Sequence, residues 1–173
     1  MSASLYEATA ARFEQTLTAL TSVLAKGREH CAAQDINLDG VLNSRLYPDM
    51  LPLSFQVVSS AHHSAGALAA ARSGEFAPPP RPDDVDYAAL ETCMADALAA
   101  VQSFKASELH ELEDNDLVFR LGKNELPFKV GDFLLSFSIP NFFFHATTTY
   151  DLLRMQGVPI GKRDFLGRML MKT

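Results

Sequence analysis

DFLLSFSIPNFFFHATTTYDLLRMQG, residues 132–157, is the stretch that decides the fold of this chain. It combines a dense apolar run with one proline, one embedded histidine and a glycine that can end a helix. Asn141 and His145 are four residues apart, so a helix places them on one face. A buried polar group without a partner costs about 1–3 kcal/mol, so this pair must find partners inside its apolar surroundings. We therefore expect the functional site on this helix.

The composition is that of an ordinary soluble globular protein. Apolar residues make up 47% of the 173 residues and charged residues 21%, which is enough to build a real core. The length suits one domain, and we expect residues 1–173 to form it. The net charge of −6 argues against a nucleic-acid partner, because such proteins present a basic stripe.

The chain shows no pattern of export or membrane insertion. The N-terminal residues lack a basic segment followed by an apolar one, as a secretory signal would have. The longest nearly uncharged run, residues 133–150, contains Pro140 and several polar residues, which favours a core helix over a membrane span. Cys31 and Cys93 are not spaced as metal ligands and are interpreted as thiols in a reducing compartment. We predict a cytoplasmic protein with no membrane partner.

Apolar residues recurring at spacings of three and four predict four helices, over residues 4–33, 49–73, 87–105 and 132–157. Ser4 and Glu7 have the spacing of a capping box at the first of them. The proline-rich residues 76–84 predict a stiff connection, with Asp83 or Asp84 capping the third helix. Pro140 is expected to kink the fourth helix or to restart it, after a cap at Asp132.

The segment between the third and fourth helices predicts a small β-hairpin. Residues 117–121 and 125–130 carry alternating apolar side chains around a turn at Gly122. The acidic residues 108–116 that precede it predict a solvated turn, with oxygen ligation of a cation as the alternative.

The second helix carries the histidines that face the fourth. Its apolar stripe is predicted to hold the following residues: Leu51, Phe55, Val58, His62, Ala65 and Ala69. His62 therefore lies on the apolar face, either as a core residue or as a ligand, and His63 lies closer to a polar strip that includes Gln56. The preceding loop offers Arg45 and Asp49 either for capping or as the rim of a pocket.

His62, His63 and His145 are the group of side chains in this sequence that suggests chemistry. Imidazoles on facing helices can ligate Zn, Ni, Fe or Cu, or act as acid and base near neutral pH. Two histidines are fewer than the three protein ligands of a usual zinc site. We predict that one inter-helix pocket contains His145 as the catalytic group. The residues predicted to contact its small-molecule ligand are Arg45, Asp49, Gln56, Asn141 and Tyr150.

Four segments carry a family resemblance: LNSRLYPDM, LPLSFQV, IPNFFFHATTTYDLLRMQGV and IGKRDFLG. Through them the chain resembles an uncharacterised family, a domain of unknown function related to the DinB/YfiT-like superfamily of four-helix bundles. The resemblance implies an all-α, antiparallel four-helix bundle with a long crossover connection. It also implies a homodimer, which the twelve phenylalanines would favour.

In that superfamily a histidine on the second helix and an H-x-x-x-H pair on the last form a metal triad. The resemblance therefore implies His62 and His145 as metal ligands for a divalent ion such as Zn, Ni or Fe. Asn141 stands at the first position of the pair, where the pattern has histidine.

Two functions follow, from different classes. The chain is either an enzyme acting on a small molecule, metal-assisted or with His145 as acid or base, or a non-catalytic small-molecule-binding or stress-associated bundle.

Overall fold

The computed structural model describes residues 3–79, 81–169 and 171, and it is mostly helical. The α-helices of these residues are α1 (Leu5–Ala8), α2 (Ala10–Ala33), α3 (Leu38–Leu42), α4 (Leu53–Ala61), α5 (Ala67–Ser73), α6 (Tyr87–Gln102), α7 (Ala106–Leu112), α8 (Val130–Asp132), α9 (Ile139–Met155) and α10 (Lys162–Leu166). A π-helical segment, His62–Gly66, joins α4 to α5, and a second, Phe133–Ser138, joins α8 to α9. Residues 53–73 and 130–155 are thus two continuous helical rods.

Contacts far apart in sequence show that α6 runs antiparallel to α2. The Tyr87 hydroxyl, at the start of α6, donates to the Leu24 carbonyl at 2.9 Å. The Gln102 amide, at the end of α6, donates to the Glu14 carboxylate at 3.1 Å. Later residues of α6 therefore contact earlier residues of α2.

The rod that contains α9 runs antiparallel to α4 and parallel to α2. Ser138, which precedes α9, donates to the His63 carbonyl at 2.6 Å, and His145 bonds to Gln56 at 2.7 Å. Parallel packing on α2 is set by the edge-to-face contact of Phe13 with Phe142, whose ring centroids are 4.9 Å apart, and by the contact of Gly27 with Leu153.

The resulting order of directions differs from a simple antiparallel bundle. The first and third long helices form one antiparallel pair, the second and fourth form the other, and α2 lies parallel to α9. The reason is the connection over residues 74–86, which returns the chain to the other end before α6 begins. The largest side chains buried between these helices include Phe13, Leu17, Leu20, Leu24, Phe133 and Phe142.

The predicted hairpin is part of a three-stranded sheet. Strands β2 (Asp116–Leu121) and β3 (Asn124–Lys129) pair antiparallel, and Gly122 makes the turn with a φ of 61°. Strand β1 (Glu75–Phe76), within the connection, pairs parallel with β2 and brings Phe76 beside Phe119. The sequence did not indicate β1, because two residues are too few to show a strand period.

Several helix ends differ from the prediction. The second long helix begins at Leu53 after Pro52, because the Leu53 amide donates to the Ser44 carbonyl and closes the preceding loop. Asp86, rather than Asp83 or Asp84, caps α6 through its bond to the Ala89 amide. Thr9 interrupts the first helix, although its capping box at Ser4 is confirmed.

The later elements follow the prediction in part. The acidic segment is largely helix α7, because Leu109 is fully buried and Glu108 pairs with Arg72 at 2.5 Å. The fourth rod begins at Val130 instead of Asp132. Pro140 lies in the first turn of α9, directly after the π-helical segment, and the backbone stays helical through Ser138 and Ile139. Within the described residues, none of the helices combines the length and apolar character of a membrane span.

Candidate functional site around two stacked histidines

Helices α4 and α9 bring Gln56 and His145 together. The His145 Nδ1 atom lies 2.7 Å from Gln56 Oε1, and Gln56 Nε2 donates to the Leu51 carbonyl at 2.8 Å. Since the Leu51 carbonyl can only accept a hydrogen bond, the Gln56 atom that faces it must be Nε2, and Oε1 must face His145. His145 must then carry its proton on Nδ1 and donate to Gln56.

This tautomer leaves His145 Nε2 with a free lone pair. The described residues make no hydrogen bond to Nε2, and that atom is not buried. An imidazole held through one nitrogen while the other stays open is the arrangement of an acceptor, a base or a ligand.

Aromatic rings surround the His145 imidazole. His63 stacks on it with ring centroids 5.7 Å apart and an interplanar angle of 13°. Phe144 and Phe55 meet it edge to face, at 5.2 Å and 6.0 Å. Phe144 is 56% exposed, and Phe55 and His145 are half-buried, so the histidine adjoins aromatic surface that solvent reaches.

His63 lies deeper than His145. It is 4% exposed and packs against Phe76 of β1 and Phe137 of the second π-helical segment, at 5.5 Å and 5.6 Å. Its Nδ1 atom is buried and has no hydrogen-bond partner in the described part of the chain. An unpaired buried nitrogen is costly, and it is more costly once a proton is added.

Burial keeps His62, His63 and His145 uncharged at neutral pH. Burial, and then the proximity of His145 and His62, lowers the pKa of His63 to about 3. Burial lowers the pKa of His145 to about 4. The pKa of His62 is also lowered by burial, against the opposing effect of its bond to the Ala77 carbonyl. At neutral pH the site therefore presents uncharged imidazoles.

His63, rather than His62, is the histidine that meets His145. The buried side of this rod includes Gln56, Ser60, His63 and Ser64, whereas the residues of the predicted apolar stripe are only half-buried or exposed. Ser60 and Ser64 can lie inside because each hydroxyl donates to the carbonyl four residues earlier. Their polarity made the buried face look like a solvent face in the sequence.

His62 points to the connection between the second and third long helices. Its Nε2 lies 2.7 Å from the Ala77 carbonyl, so this nitrogen carries the proton and donates. Its Nδ1 lies over Gly66, where a Cβ would be 3.0 Å away. The glycine makes room for the ring beside Phe76, at 4.5 Å between centroids.

The other predicted ligand contacts are distributed along the bundle. Asn141 donates to the Phe137 carbonyl of its own rod at 2.7 Å. Arg45 donates to the Met50 carbonyl at 2.5 Å, in the exposed loop that also contains Asp49. Tyr150 packs on Phe165 of α10 with centroids 5.8 Å apart. Gln56 is thus the member of this set that touches His145.

The residues present do not fit the predicted divalent metal. The described chain contains no group of three or more His, Cys, Asp or Glu side chains that could hold an ion. His62 uses its protonated Nε2 on a backbone carbonyl, and the Asn141 amide is turned to its own helix. A zinc site needs about three protein ligands with free lone pairs at one point. The function proposed below uses no metal.

The fold is that of a DinB-like helical protein. The structure matches the crystal structure of a DinB family member protein from Shewanella denitrificans, determined at 1.83 Å resolution, with a TM-score of 0.79 and 26% sequence identity. The match covers 98% of this chain and 95% of that one.

The family itself is shown by the sequence. The model of the family described as a domain of unknown function, DUF1993, matches residues 5–166, so the chain belongs to this family. No curated protein matches the chain. The single domain, the homodimer, the cytoplasmic location and the lack of a nucleic-acid partner stay predictions.

Proposed function

We propose that this chain is a small-molecule-binding protein in which His145 Nε2 accepts a hydrogen bond from the ligand. The observation that carries the proposal is the bond between His145 and Gln56, with Gln56 anchored on Leu51. This relay fixes the imidazole in one tautomer before a ligand arrives, which lowers the cost of binding. The rings of Phe55 and Phe144 provide an apolar rim for the rest of the ligand.

The pKa of His145 favours binding over catalysis. A general base works best when its pKa is near the working pH, and the pKa of His145 is about 4. A neutral imidazole of this kind accepts hydrogen bonds well but takes up protons poorly. The ligand class that fits is an uncharged aromatic or apolar molecule with one O–H or N–H donor.

Phenol is a suitable probe because it combines a ring with one donor, and anisole is its matched control without the donor. We expect phenol to shift the His145 Nε2 resonance in a saturable way in a long-range nitrogen–proton NMR spectrum. A hydrogen bond of about 1 kcal/mol should make anisole roughly fivefold weaker. Equal affinity for the two probes, or unchanged phenol affinity in His145→Phe, would contradict the proposal.

A second function, base or nucleophilic catalysis by His145, is favoured by the open Nε2 atom alone. If it holds, p-nitrophenyl acetate should be hydrolysed faster by the wild type than by His145→Asn. The rate due to His145 should rise with a midpoint near pH 4 and be flat from about pH 5 upward, because the pKa is about 4. A rate that His145→Asn leaves unchanged would assign the activity to another group, and His110→Asn, at an exposed histidine, is the control variant.

A further inference from the structure

A second candidate site is a cleft beside α2. Its lining contains charged side chains, whereas aromatic rings surround His145. It has a volume of about 500 Å³ and is bounded by α2, the C-terminal end of α6 and the segment after α10. Its polar lining includes Arg12, Glu14, Gln15, Gln102 and Arg168. The volume falls within the usual range for small-molecule sites, about 300–1,000 Å³.

Arg12 lines this cleft, and only one side of its guanidinium group is hydrogen-bonded by the described residues. Its Nη1 donates to Gln15 Oε1 at 3.0 Å, and Gln15 Nε2 donates to the Leu166 carbonyl at 2.9 Å. The second bond fixes the Gln15 amide, so its oxygen must face the guanidinium group. Arg12 Nε is buried and has no hydrogen-bond partner among the described residues. A buried charged donor without a partner is costly, and an arriving acceptor would remove that cost.

Close packing of the C-terminal segment brings the second guanidinium group to the cleft. Gly167 has a φ of 59°, and a Cβ there would lie 3.3 Å from the Ala19 Cβ and 3.4 Å from the Gln15 carbonyl oxygen. Glycine thus allows the chain to turn against α2, and Arg168 follows directly as part of the cleft lining.

The charges of the cleft fit a monoanion. Two guanidinium groups face one carboxylate, Glu14, whose Oε1 is already occupied by the Gln102 amide at 3.1 Å. Among the described lining residues one net positive charge therefore remains, in a chain with a net charge of −6. The Nε and Nη2 groups of Arg12, which make no hydrogen bond to the described residues, form the planar two-donor edge that a carboxylate accepts.

We propose that this cleft binds a small organic molecule through one carboxylate group, with Arg12 as the main contact and Arg168 as the second. Glu14 disfavours a dianion such as phosphate by like-charge repulsion. The site is separate from the histidine site, and the proposal stands independently of the function proposed for His145.

Calorimetric titration with sodium benzoate tests the proposal, with benzyl alcohol as the uncharged analogue and inorganic phosphate as the dianion. We expect saturable benzoate binding that weakens about tenfold or more in Arg12→Gln, because charge-assisted bonds are lost. Arg168→Gln should weaken binding by a smaller factor. Arg81→Gln, a change at an exposed arginine elsewhere, should leave it unchanged, and so should His145→Phe.

Three results would overturn the proposal: benzoate that does not bind saturably, benzoate affinity that is equal in wild type and Arg12→Gln, or phosphate that binds more tightly than benzoate. Arg168 is exposed, so Arg168→Gln tests the site even if Arg12→Gln lowers stability. Loss of phenol binding at His145 without loss of benzoate binding separates this site from the other.

Discussion

Replacing Gly27 by alanine is expected to lower the free energy of unfolding by about 2 kcal/mol. A Cβ at this buried position of α2 would lie 2.4 Å from the Tyr87 hydroxyl, which bonds to the Leu24 carbonyl. Tyr87 is 3% exposed and has little space to move. Overpacking costs about 1–3 kcal/mol and the lost hydrogen bond about 1 kcal/mol, while alanine in a helix regains about 1 kcal/mol.

A double-mutant cycle identifies the clash. Tyr87→Phe removes the atom that the new methyl group meets and should by itself cost about 1 kcal/mol, through the lost bond to Leu24. In that background Gly27→Ala should be close to neutral, because the nearest remaining atoms belong to the flexible Leu153 side chain, with Cδ2 at 3.1 Å and Cδ1 at 3.6 Å. The measurement is urea unfolding at pH 7 of all four proteins.

Gly40→Ala is the matched control, because a Cβ at Gly40 of α3 meets nothing within 4 Å. It should be neutral or slightly stabilising. If Gly27→Ala cost the same with tyrosine and with phenylalanine at position 87, the close approach of the hydroxyl would not be the cause.

Acidification from pH 7 to pH 5 is expected to destabilise the protein by about 4 kcal/mol through His63 and His145, and His63→Phe should remove about half of this loss. Their pKa values are about 3 and about 4 in the folded protein, against roughly 6.5 in the unfolded chain. Between these values the unfolded chain binds more protons, so stability falls as the pH falls. Each group contributes about 2 kcal/mol over this interval, at about 1.4 kcal/mol per pH unit.

Phenylalanine suits position 63 because the surroundings are aromatic and the Nδ1 atom of His63 is unpaired. At pH 7 the variant should be as stable as the wild type or about 1 kcal/mol more stable. The carboxylates with lowered pKa values, such as Asp164, titrate below this pH window. Their stabilising contribution is complete above the unfolded pKa of about 4 and disappears only at lower pH, so the histidines account for the slope.

Urea unfolding at pH 7, 6 and 5 measures this dependence. His110→Gln is the control, because His110 is 81% exposed at its side chain. This variant leaves the packing of His63 and His145 unchanged, so it should keep the loss of stability that these two residues cause. A wild-type protein equally stable at pH 7 and pH 5 would show that His63 accepts a proton without cost, contrary to its unpaired position.

The helices were predictable because their apolar residues recur with a clear period, and local chemistry marked some of their ends. Ser4 and Glu7 predicted the first cap correctly, and Gly157, with a φ of 84°, ends the last long helix as expected. What the sequence could not show were the elements created by tertiary contact. Strand β1 exists because residues 75 and 76 meet β2, and α7 is held by Glu108 and Arg72.

The part of the candidate site on the last long helix was predictable, and most of the part on the second long helix was not. The spacing of Asn141 and His145 placed the site on the last long helix, and Gln56 was recognised as a neighbour of the pocket. The sequence favoured His62 but did not decide between His62 and His63, because Ser60 and Ser64 satisfy their hydroxyls within their own helix and so occupy the buried face that includes His63. The helical period of a sequence does not show which hydroxyl groups donate to a carbonyl of their own helix. The cleft beside α2 was not predictable from the sequence either, since Arg12 and Arg168 are 156 positions apart.

The order of helix directions has a consequence for the way this chain must fold. Each antiparallel pair joins helices that are not consecutive, as the contact of Leu24 with Tyr87 and the contact of Gln56 with His145 show. These contacts close loops of 63 and 89 residues, so neither pair of long helices in the described part of the chain is a short hairpin that could act as a local nucleus. High contact order slows folding, because the entropy of loop closure is lost before the contacts form. We therefore expect slower folding than in an up-down-up-down bundle of equal length, with the α2–α6 pair closing only after α6 is present and the α4–α9 pair only after α9 is present.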